Sequence, residues 1–206
     1  MNNPTEKILS VKEAAQTRRS IRRYRSEPVS RQLLEEVLSI AQTAPSAWNL
    51  QPWRYVIVQD PALKTELQAA AFGQPQVASA PAVIVMYSDM KATLDNLEAV
   101  AHPGMPAERL EGYFGSIRGA FANNSEAQTE QWGAGQSYIA LGYLLLTARA
   151  YGLDTSPMLG FNPNKVKELL GLPAHAAVPA LLAIGYADES GAPHHRYDVN
   201  KIITWK

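Results

Sequence analysis

Strand-like and helix-like patterns of apolar residues alternate along this chain of 206 residues. Continuous apolar runs, which are typical of buried strands, cover three ranges: 54–59, 82–87 and 178–186. Apolar residues at helical spacing predict a short helix after Ser10 and five longer ones: 31–44, 61–72, 107–121, 135–151 and 163–170. Strands separated by helices predict a three-layer α/β or α+β arrangement.

The predicted helix 135–151 is apolar nearly all round. Such a helix lies buried in a core or at a subunit interface. Gly142 within it permits close approach of another helix, although a helix glycine costs ~1 kcal/mol relative to alanine. The preceding segment, 89–132, has the weakest pattern, and we interpret it as an insertion or lid over a site.

Four segments carry turn residues or lack a helical pattern. Residues 45–53 are predicted to form a loop because they contain two prolines with Ser and Asn. Residues 73–76 are interpreted as the break after a helix, and residues 152–161 as a turn-rich connector. The tail from Val199 to Trp205 is predicted to be extended.

Composition narrows the class of protein. The formal net charge is zero, which argues against a general polyanion binder such as a nucleic-acid protein. Charged residues make up 18%, below the ~25% typical of soluble domains, which fits a protein that buries surface in an oligomer. The absence of cysteine excludes disulfides, thiolate zinc sites and thiol nucleophiles.

Nothing in the pattern indicates a membrane or secreted protein. The N-terminus has no apolar signal core, and the most apolar stretch, 138–150, is shorter than the ~20 residues of a membrane span. We therefore expect a soluble cytoplasmic protein. No linker or internal repeat divides the chain, so residues 1–206 are predicted to form one domain.

Five arginines and no lysine occupy residues 18–25. The cluster begins near the predicted end of the first helix, where cations are favoured, and Ile21 and Tyr24 then favour a loop or strand. The planar guanidinium of arginine matches phosphate oxygens, and the Ser20 hydroxyl lies between two such groups. The cluster indicates a site for a phosphate monoester. A solvated basic face is the alternative.

Several catalytic arrangements are absent from the sequence. It contains no G-x-S-x-G, H-E-x-x-H, Walker loop or G-x-G-x-x-G. None of the four histidines lies within a predicted helix, where a carboxylate at helical spacing could join it as a ligand, so we predict no metal site. Amides, arginines and aromatic residues remain, and such side chains can hold a cofactor that supplies its own chemistry.

Four motifs follow one another along nearly the whole chain: RRSIRRY at 18–24, PSAWNLQPW at 45–53, GLDTSPMLGF at 152–161 and an apolar run ending in IGY at 179–186. The first three resemble the R-x-S-x-[RK]-x-[FY], P-S-x-x-N-x-Q-P-W and G-[LV]-[DG]-x-x-P-[MI]-x-G-[FY] segments of the FMN-dependent nitroreductase family. The fourth resembles its late strand. Each motif alone is weak, whereas their common order is specific.

The resemblance implies a fold and an assembly. The fold is α+β, a nitroreductase-like three-layer α/β/α sandwich with a mostly antiparallel central sheet. A C-terminal strand, within 199–205, would extend onto the partner subunit of a homodimer. Two FMN sites would lie at the interface between the subunits.

The resemblance also implies which residues bind FMN. One group would line the flavin: Arg18, Arg19, Ser20 and Arg22. Within it, Arg18 would pair with the phosphate and Arg22 would lie near the pyrimidine edge and tune the flavin. A loop group would approach the flavin of the other subunit: Pro45, Ser46, Asn49 and Gln51. A third group would pass over the ring near its redox centre: Pro157, Met158, Leu159 and Gly160. Arg196, with His194 or His195 beside it, would complete the phosphate clamp.

Two departures from the family pattern affect the site. Many members carry a polar or acidic residue where Leu159 stands, so the approach to the flavin is more apolar here. Many also carry an Asn, with a Lys nearby, in the region of residues 73–77. Gln74 or Gln76 would take over the amide contact, and the sequence does not distinguish them.

Aromatic residues near these motifs have a simpler interpretation. We interpret Trp53 as a core or interface residue. The aromatic residues of helix 107–121 are interpreted as helix packing rather than a substrate wall: Tyr113, Phe114 and Phe121.

The implied activity is that of an FMN-dependent oxidoreductase with NADH or NADPH as co-substrate. Hydride would pass to the flavin, and electrons would then pass to a nitroaromatic, quinone or azo compound in a ping-pong order. No separate catalytic acid or base is expected, because the flavin performs the chemistry. Two alternatives remain open: another reaction on this fold, such as reductive dehalogenation or flavin cleavage, and a flavin-binding sensor without turnover.

Overall fold

The centre of the fold is a four-stranded antiparallel sheet, which the computed structural model describes within residues 8–206. The strands are β1 (Trp53–Val58), β2 (Ala82–Ser88), β3 (Asp154–Met158) and β4 (Ala177–Gly185). They lie side by side in the order β1-β2-β4-β3, and every neighbouring pair is antiparallel. The three strands predicted from apolar runs are confirmed to within one residue at each end.

Eight α-helices surround the sheet in the described part of the chain: α1 (Val11–Thr17), α2 (Arg31–Ala41), α3 (Pro61–Ala70), α4 (Pro75–Ser79), α5 (Met90–Asp95), α6 (Ala107–Phe121), α7 (Glu126–Ala150) and α8 (Pro163–Leu170). Side-chain caps set several of the starts. Ser30 Oγ accepts from the Leu33 N–H at 3.1 Å, and Asp60 Oδ1 accepts from the Leu63 N–H at 2.8 Å. Gly171, with φ 62°, ends α8 as predicted.

Two cores, one on each face of the sheet, produce the three layers. Ile84 and Leu182 belong to the core that α2 and α7 cover. Val85 and Leu181 belong to the opposite core, which α3, α4 and α8 cover. Because both faces are covered, the central strands are continuously apolar rather than alternating. The α+β prediction and the antiparallel sheet are confirmed.

Helix α7 is longer than predicted and has two different sides. It begins at Glu126, not at residue 135, because Ser125 and Gln128 form a capping box there. One side is buried under the sheet: Ala140, Leu144 and Ala148. The other side leaves three large apolar residues roughly two-fifths exposed, at 44%, 40% and 41%: Tyr138, Ile139 and Tyr143. An apolar, exposed helix face of this kind is typical of an interface.

Three segments differ from the prediction. Residues 152–161 are more than a connector because β3 lies within them, and Pro157 is tolerated there since β3 is an edge strand. Residues 73–76 are more than a break because α4 begins at Pro75, whose fixed φ suits a first helical turn. The tail 199–205 is not a strand in this single chain: Val199–Lys201 forms a 3₁₀ turn and the rest is irregular and exposed.

The predicted insertion, 89–132, contains α5, a 3₁₀ turn (Leu97–Val100) and α6, and it ends inside α7. With Leu50 of the loop 45–53 it forms a small core: Met90, Leu97, Val100, Phe114, Ile117 and Phe121. Phe114 and Phe121 therefore pack as expected, and Trp53 lies in the first core, also as expected. The lid function of the segment stays a prediction. No helix of residues 8–206 has the length and apolar character needed to cross a membrane.

Candidate functional site

The arginine segment runs along the edge of the sheet, where its two apolar residues anchor it. Ile21 and Tyr24 are buried in the second core, while their arginine neighbours stay accessible. The Ile21 N–H donates to the Thr155 carbonyl at 3.1 Å, and Ser20 forms a parallel bridge to Thr155 of β3. Burial of Ile21 and Tyr24, with the bridge to Thr155, thus holds Ser20 and the arginines beside strand β3.

Arg18 is the most unusual residue of this segment. Its Nη1 atom is buried and has no hydrogen-bond partner within the described chain. Burial, followed by the positive charges of Arg196 and Arg19, lowers the pKa of the Arg18 guanidinium. Arg19 and Arg196 thus act electrostatically on Arg18, and a buried unpaired donor costs about 1–3 kcal/mol. This arrangement suits an anion with several acceptor oxygens, such as a phosphate monoester.

The tail after β4 folds back onto the same place. His194 Nε2 lies 2.8 Å from the Arg18 carbonyl oxygen and 3.0 Å from Arg19 Nη1. Gly191 makes this approach possible: its φ is 68°, and a Cβ there would lie 2.7 Å from the Arg19 Cβ and 3.0 Å from Ile21 Cδ1. The structure therefore brings together the predicted phosphate group, residues 18–20 with His194 and Arg196.

Glu189 holds the next part of the arginine segment. Its carboxylate accepts from the Arg22 N–H at 2.6 Å and from Arg23 Nε at 3.3 Å. The hydrogen bond from the Arg22 backbone is the main cause that lowers the pKa of Glu189. An open cleft of about 320 Å³ lies between Ser20, Arg22 and Glu189. Sequence analysis missed Glu189, because nothing in its surroundings in the chain marks it.

A second group of predicted residues meets across the end of β3. Gln74 Nε2 donates to the Gly160 carbonyl at 2.7 Å, and Gln76 Nε2 donates to Gln74 Oε1 at 3.1 Å. Gln76 Nε2 also lies 3.2 Å from Met158 Sδ. Gln76 is only 3% exposed, whereas Gln74 is half-buried. The accessible amide is therefore that of Gln74, and Gln76 lies behind it.

Leu159 directly precedes Gly160, the partner of Gln74, and is 68% exposed. A cleft of about 310 Å³ adjoins it, and its lining contains no charged side chain: Gln131, Ala134, Tyr138, Leu159, Phe161, Pro163, Ala177, Val178 and Pro179. The lining at Leu159 is uncharged, and its place on the approach to a flavin stays a prediction.

The third predicted group, the loop of residues 45–51, is strained. Trp48, Asn49 and Gln51 have φ values of 52°, 57° and 43°. A bulky residue in this left-handed region costs about 1–3 kcal/mol. The Ala47 N–H donates to Gln136 Oε1 of α7 at 3.0 Å, and Asn49 Nδ2 donates to the Val100 carbonyl at 3.1 Å. The loop is thus bonded to α7 and to the segment 89–132, not to the arginine group.

A further cluster escaped sequence analysis, which considered only histidine and carboxylate spacing on one helix. Asp89, Glu130 and His175 come from separate segments, and their ligand-type atoms lie within 4.8 Å of one another. These atoms already hydrogen-bond within the protein: His175 Nε2 is 3.0 Å from Asp89 Oδ1, and Ser88 Oγ donates to Glu130 Oε2 at 2.9 Å. We therefore interpret the cluster as a structural network that ties the start of α5, α7 and the turn before β4 together.

The electrostatics of Asp89 agree with that interpretation. Burial alone would raise the pKa of Asp89, but hydrogen bonds from His175 and from the Ala92 N–H outweigh it and lower the pKa. Close packing supports the network: a Cβ at Gly133 would lie 2.3 Å from Ser88 Oγ and 2.4 Å from Met90 Cγ. The predicted absence of a metal site stays a prediction.

The described chain thus combines an antiparallel α+β core with an arginine-rich segment along the edge of its sheet. The nitroreductase family model matches residues 15–186, and on this evidence the chain belongs to the nitroreductase family. The resemblance inferred from the four motifs is confirmed.

Individual relatives cover nearly the whole chain. The chain is 52% identical over 199 residues to a Thermus thermophilus protein named NADH dehydrogenase, with 97% of each covered. A nitroreductase-family structure from Exiguobacterium sibiricum, solved in complex with FMN, is 32% identical, with 98% and 100% covered and a TM-score of 0.88. The enone reductase CLA-ER is 27% identical, with 100% and 99% covered and a TM-score of 0.84.

Proposed function

We propose that this protein is an FMN-dependent oxidoreductase that takes hydride from NADH or NADPH and reduces nitroaromatic, quinone or azo compounds. One observation carries the proposal: the buried, unpartnered Nη1 of Arg18 among the charges of Arg19 and Arg196. Membership of the family and the FMN-bound relative support it. When bound, FMN supplies the redox chemistry itself.

The residues present fit FMN. Arg18, Arg196 and His194 would hold the phosphate, with the Ser20 hydroxyl beside it. A terminal monophosphate dianion neutralises converging guanidinium groups better than the internal diphosphate of FAD, whose charges are spread along the chain. Gln74, held by Gly160 and Gln76, would present its amide to the ring. Arg22 would place positive charge near the pyrimidine edge.

The proposed choice of electron acceptors rests on Leu159. This exposed residue and the uncharged cleft beside it favour flat apolar acceptors over anionic ones. Nicotinamide and acceptor would use the same approach in turn, which gives a ping-pong order. The protein residues would orient both substrates and exclude water, so no acid–base pair is required.

We further propose a cytoplasmic homodimer. The exposed apolar face of α7 with Tyr138, Ile139 and Tyr143 supports a subunit interface. The exposed tail, in which Trp205 is 87% exposed, would pack on the partner subunit. The loop 45–51 would then reach the partner's flavin, because its hydrogen bonds lead to α7 and not to its own arginine group.

A visible spectrum and a turnover assay test the proposal. The purified protein is expected to be yellow, to release FMN rather than FAD on denaturation, and to oxidise NADH or NADPH when a quinone is added. A colourless protein that does not bind added FMN would overturn the cofactor. Bound FMN without any nicotinamide oxidation would favour the sensor, and FMN reduction without quinone or nitro turnover would favour another reaction on this fold.

A further inference from the structure

The loop 45–51 adopts a conformation that its own sequence does not favour. Trp48, Asn49 and Gln51 all have positive φ, yet none of them is glycine. Left-handed non-glycine residues persist only where surrounding structure holds them, and they concentrate at functional sites. The contacts that hold this loop therefore define its shape.

Several of those contacts come from residues 100–132, and the Ala47 N–H also donates to Gln136 further along α7. Tyr113 Oη of α6 donates to the Trp48 carbonyl at 2.9 Å. The Trp48 ring lies 6.0 Å from the Phe121 ring and 6.1 Å from the Trp132 ring, and those two rings are 5.0 Å apart. Aromatic pairs at these separations attract each other beyond simple burial.

A further hydrogen bond extends the same contact surface. Asn49 Nδ2 donates to the Val100 carbonyl at 3.1 Å, while Asn49 Oδ1 accepts no hydrogen bond within residues 8–206. The side chain is thus fixed at one atom and leaves an acceptor for a ligand. Leu50, which is 0% exposed, anchors the loop in the small core of the same region.

We propose that α6 is a clamp for loop 45–51 and that Tyr113 is a positioning residue for the FMN site of the partner subunit. This inference rests on the proposed function, because it presupposes bound FMN and a homodimer. The segment that the sequence suggests as a lid over a site then has a second role. It sets the geometry of a loop that serves the other subunit.

Removal of the Tyr113 hydroxyl is the most direct test of the proposed clamp. Tyr113 is half-buried, and its bond to Trp48 is accessible to water, so its loss leaves the packing of the ring in place. Removing one such hydrogen bond is worth about a threefold to tenfold change in an equilibrium. Tyr113→Phe is therefore expected to fold normally and to weaken FMN binding by about that factor.

Tyr55→Phe is a matched control. The Tyr55 hydroxyl is buried and has no hydrogen-bond partner in the described residues, so its removal breaks no bond. FMN affinity and the visible spectrum of bound flavin are compared in wild type, Tyr113→Phe and Tyr55→Phe. The inference predicts weaker binding and an altered flavin spectrum for Tyr113→Phe only. Phe121→Leu, which thins the ring cluster, is expected to act in the same direction.

Mixed dimers decide whether the clamp acts on the partner. One subunit carries Arg18→Ala and the other carries Tyr113→Phe. If each loop serves the other subunit, both defects fall in one site, and the second site keeps wild-type affinity for FMN. If each loop serves its own subunit, both sites are weakened.

The outcomes separate this inference from the proposed function. A wild-type protein that binds no FMN refutes the cofactor proposal. A wild-type protein that binds FMN, with Tyr113→Phe binding equally well and giving the same spectrum, overturns the clamp alone. A mixed dimer without any site of wild-type affinity overturns its action across the interface.

Discussion

Gln76 donates a hydrogen bond from Nε2 to Oε1 of Gln74 at 3.1 Å, and Gln74 in turn donates to the Gly160 carbonyl at 2.7 Å. Both atoms of the Gln74 amide are therefore used, which fixes its orientation without guidance from a ligand. The turn before Gln74 has positive φ, with 55° at Phe72 and 76° at Gly73. The backbone turn and the buried Gln76 amide together direct the accessible Gln74 amide to the end of β3.

Gln76→Leu tests this relationship. The substitution keeps the side-chain volume but leaves Gln74 Oε1 without its donor, so Gln74 gains rotational freedom. We expect FMN affinity to fall about threefold to tenfold while the fold is kept. Fluorescence titration with FMN measures the change. Gln32→Leu, on the exposed side of α2, is the control and is expected to bind FMN like wild type.

Arg18 and Arg22 are expected to have different effects. Arg18→Ala removes a phosphate partner and should mainly weaken FMN binding. By the proposed function, Arg22→Ala would remove positive charge near the pyrimidine edge, where reduction leaves negative charge. A loss of roughly 1.4–2.8 kcal/mol there would make the two-electron potential about 30–60 mV more negative.

Potentiometric titration of the flavin in both variants distinguishes these roles. Arg31→Ala is a suitable control, because Arg31 is exposed on α2 and pairs with Glu35 of the same helix. An unchanged potential in Arg22→Ala, together with a lowered one in Arg18→Ala, would show that the two roles are reversed.

Gly191→Ala should displace the tail from the arginine segment. The new Cβ would lie 2.7 Å from the Arg19 Cβ, and alanine is also disfavoured at φ 68°. Gly171→Ala separates these causes, because Gly171 has a similar φ of 62° but open space around its Cβ position. Both variants should lose about 1 kcal/mol of stability from backbone strain, and only Gly191→Ala should also lose FMN affinity.

Asp89 should stabilise the fold in a pH-dependent way. Its pKa is lowered in the folded protein, so the unfolded chain binds the proton more tightly. The stabilisation is then fully present above about pH 4, the unfolded pKa, and is lost as the pH falls through the folded pKa. Urea unfolding gives the free energy of unfolding of wild type and of Asp89→Asn at each pH between 3 and 7, a span of about four units. The two free energies should converge at the acid end.

The hydrogen bond from His175 is the largest of the causes that lower the pKa of Asp89. In a His175→Gln background, the free energies of unfolding of the proteins with Asp89 and with Asp89→Asn should therefore differ less with pH. Parallel curves for wild type and Asp89→Asn across the whole range would contradict the assigned cause of the pKa shift.

Deletion of residues 197–206 should weaken both the dimer and FMN binding. The tail exposes Ile202 and Trp205 in the single chain, and these residues are expected to be covered by the partner. Obligate interfaces bury roughly 2,000 Å² or more, so the loss of this segment should be measurable by light scattering at low protein concentration. A truncated protein that remains a tight dimer with wild-type FMN affinity would exclude this role.

Much of the architecture could be predicted because its causes are local. The apolar runs of β1, β2 and β4 and the caps at Ser30 and Asp60 depend on neighbouring residues in the chain. β3 was missed because it is short, polar and contains Pro157, which only an edge position permits. The start of α7 was missed because Gly133 and Gly135 weaken the helical pattern there.

The site could be predicted only as far as its motifs reach. Arg18 and Ser20 lie in one motif, whereas Glu189 and the Asp89 network are assembled from distant segments. The choice between Gln74 and Gln76 depends on burial, which the sequence does not contain. The positive φ of Trp48 was also hidden, because a left-handed residue is normally marked by glycine or asparagine.

The Nη1 of Arg18, which has no hydrogen-bond partner in the described residues, affects the stability of the folded chain. Without an anion, a buried donor and neighbouring positive charges oppose folding of the edge that carries them. A ligand that binds only the folded form stabilises it by RT ln(1 + [L]/Kd), about 2.7 kcal/mol at a hundredfold excess over Kd. A bound anion would therefore lower the population of unfolded chains, and with it their exposure to proteolysis.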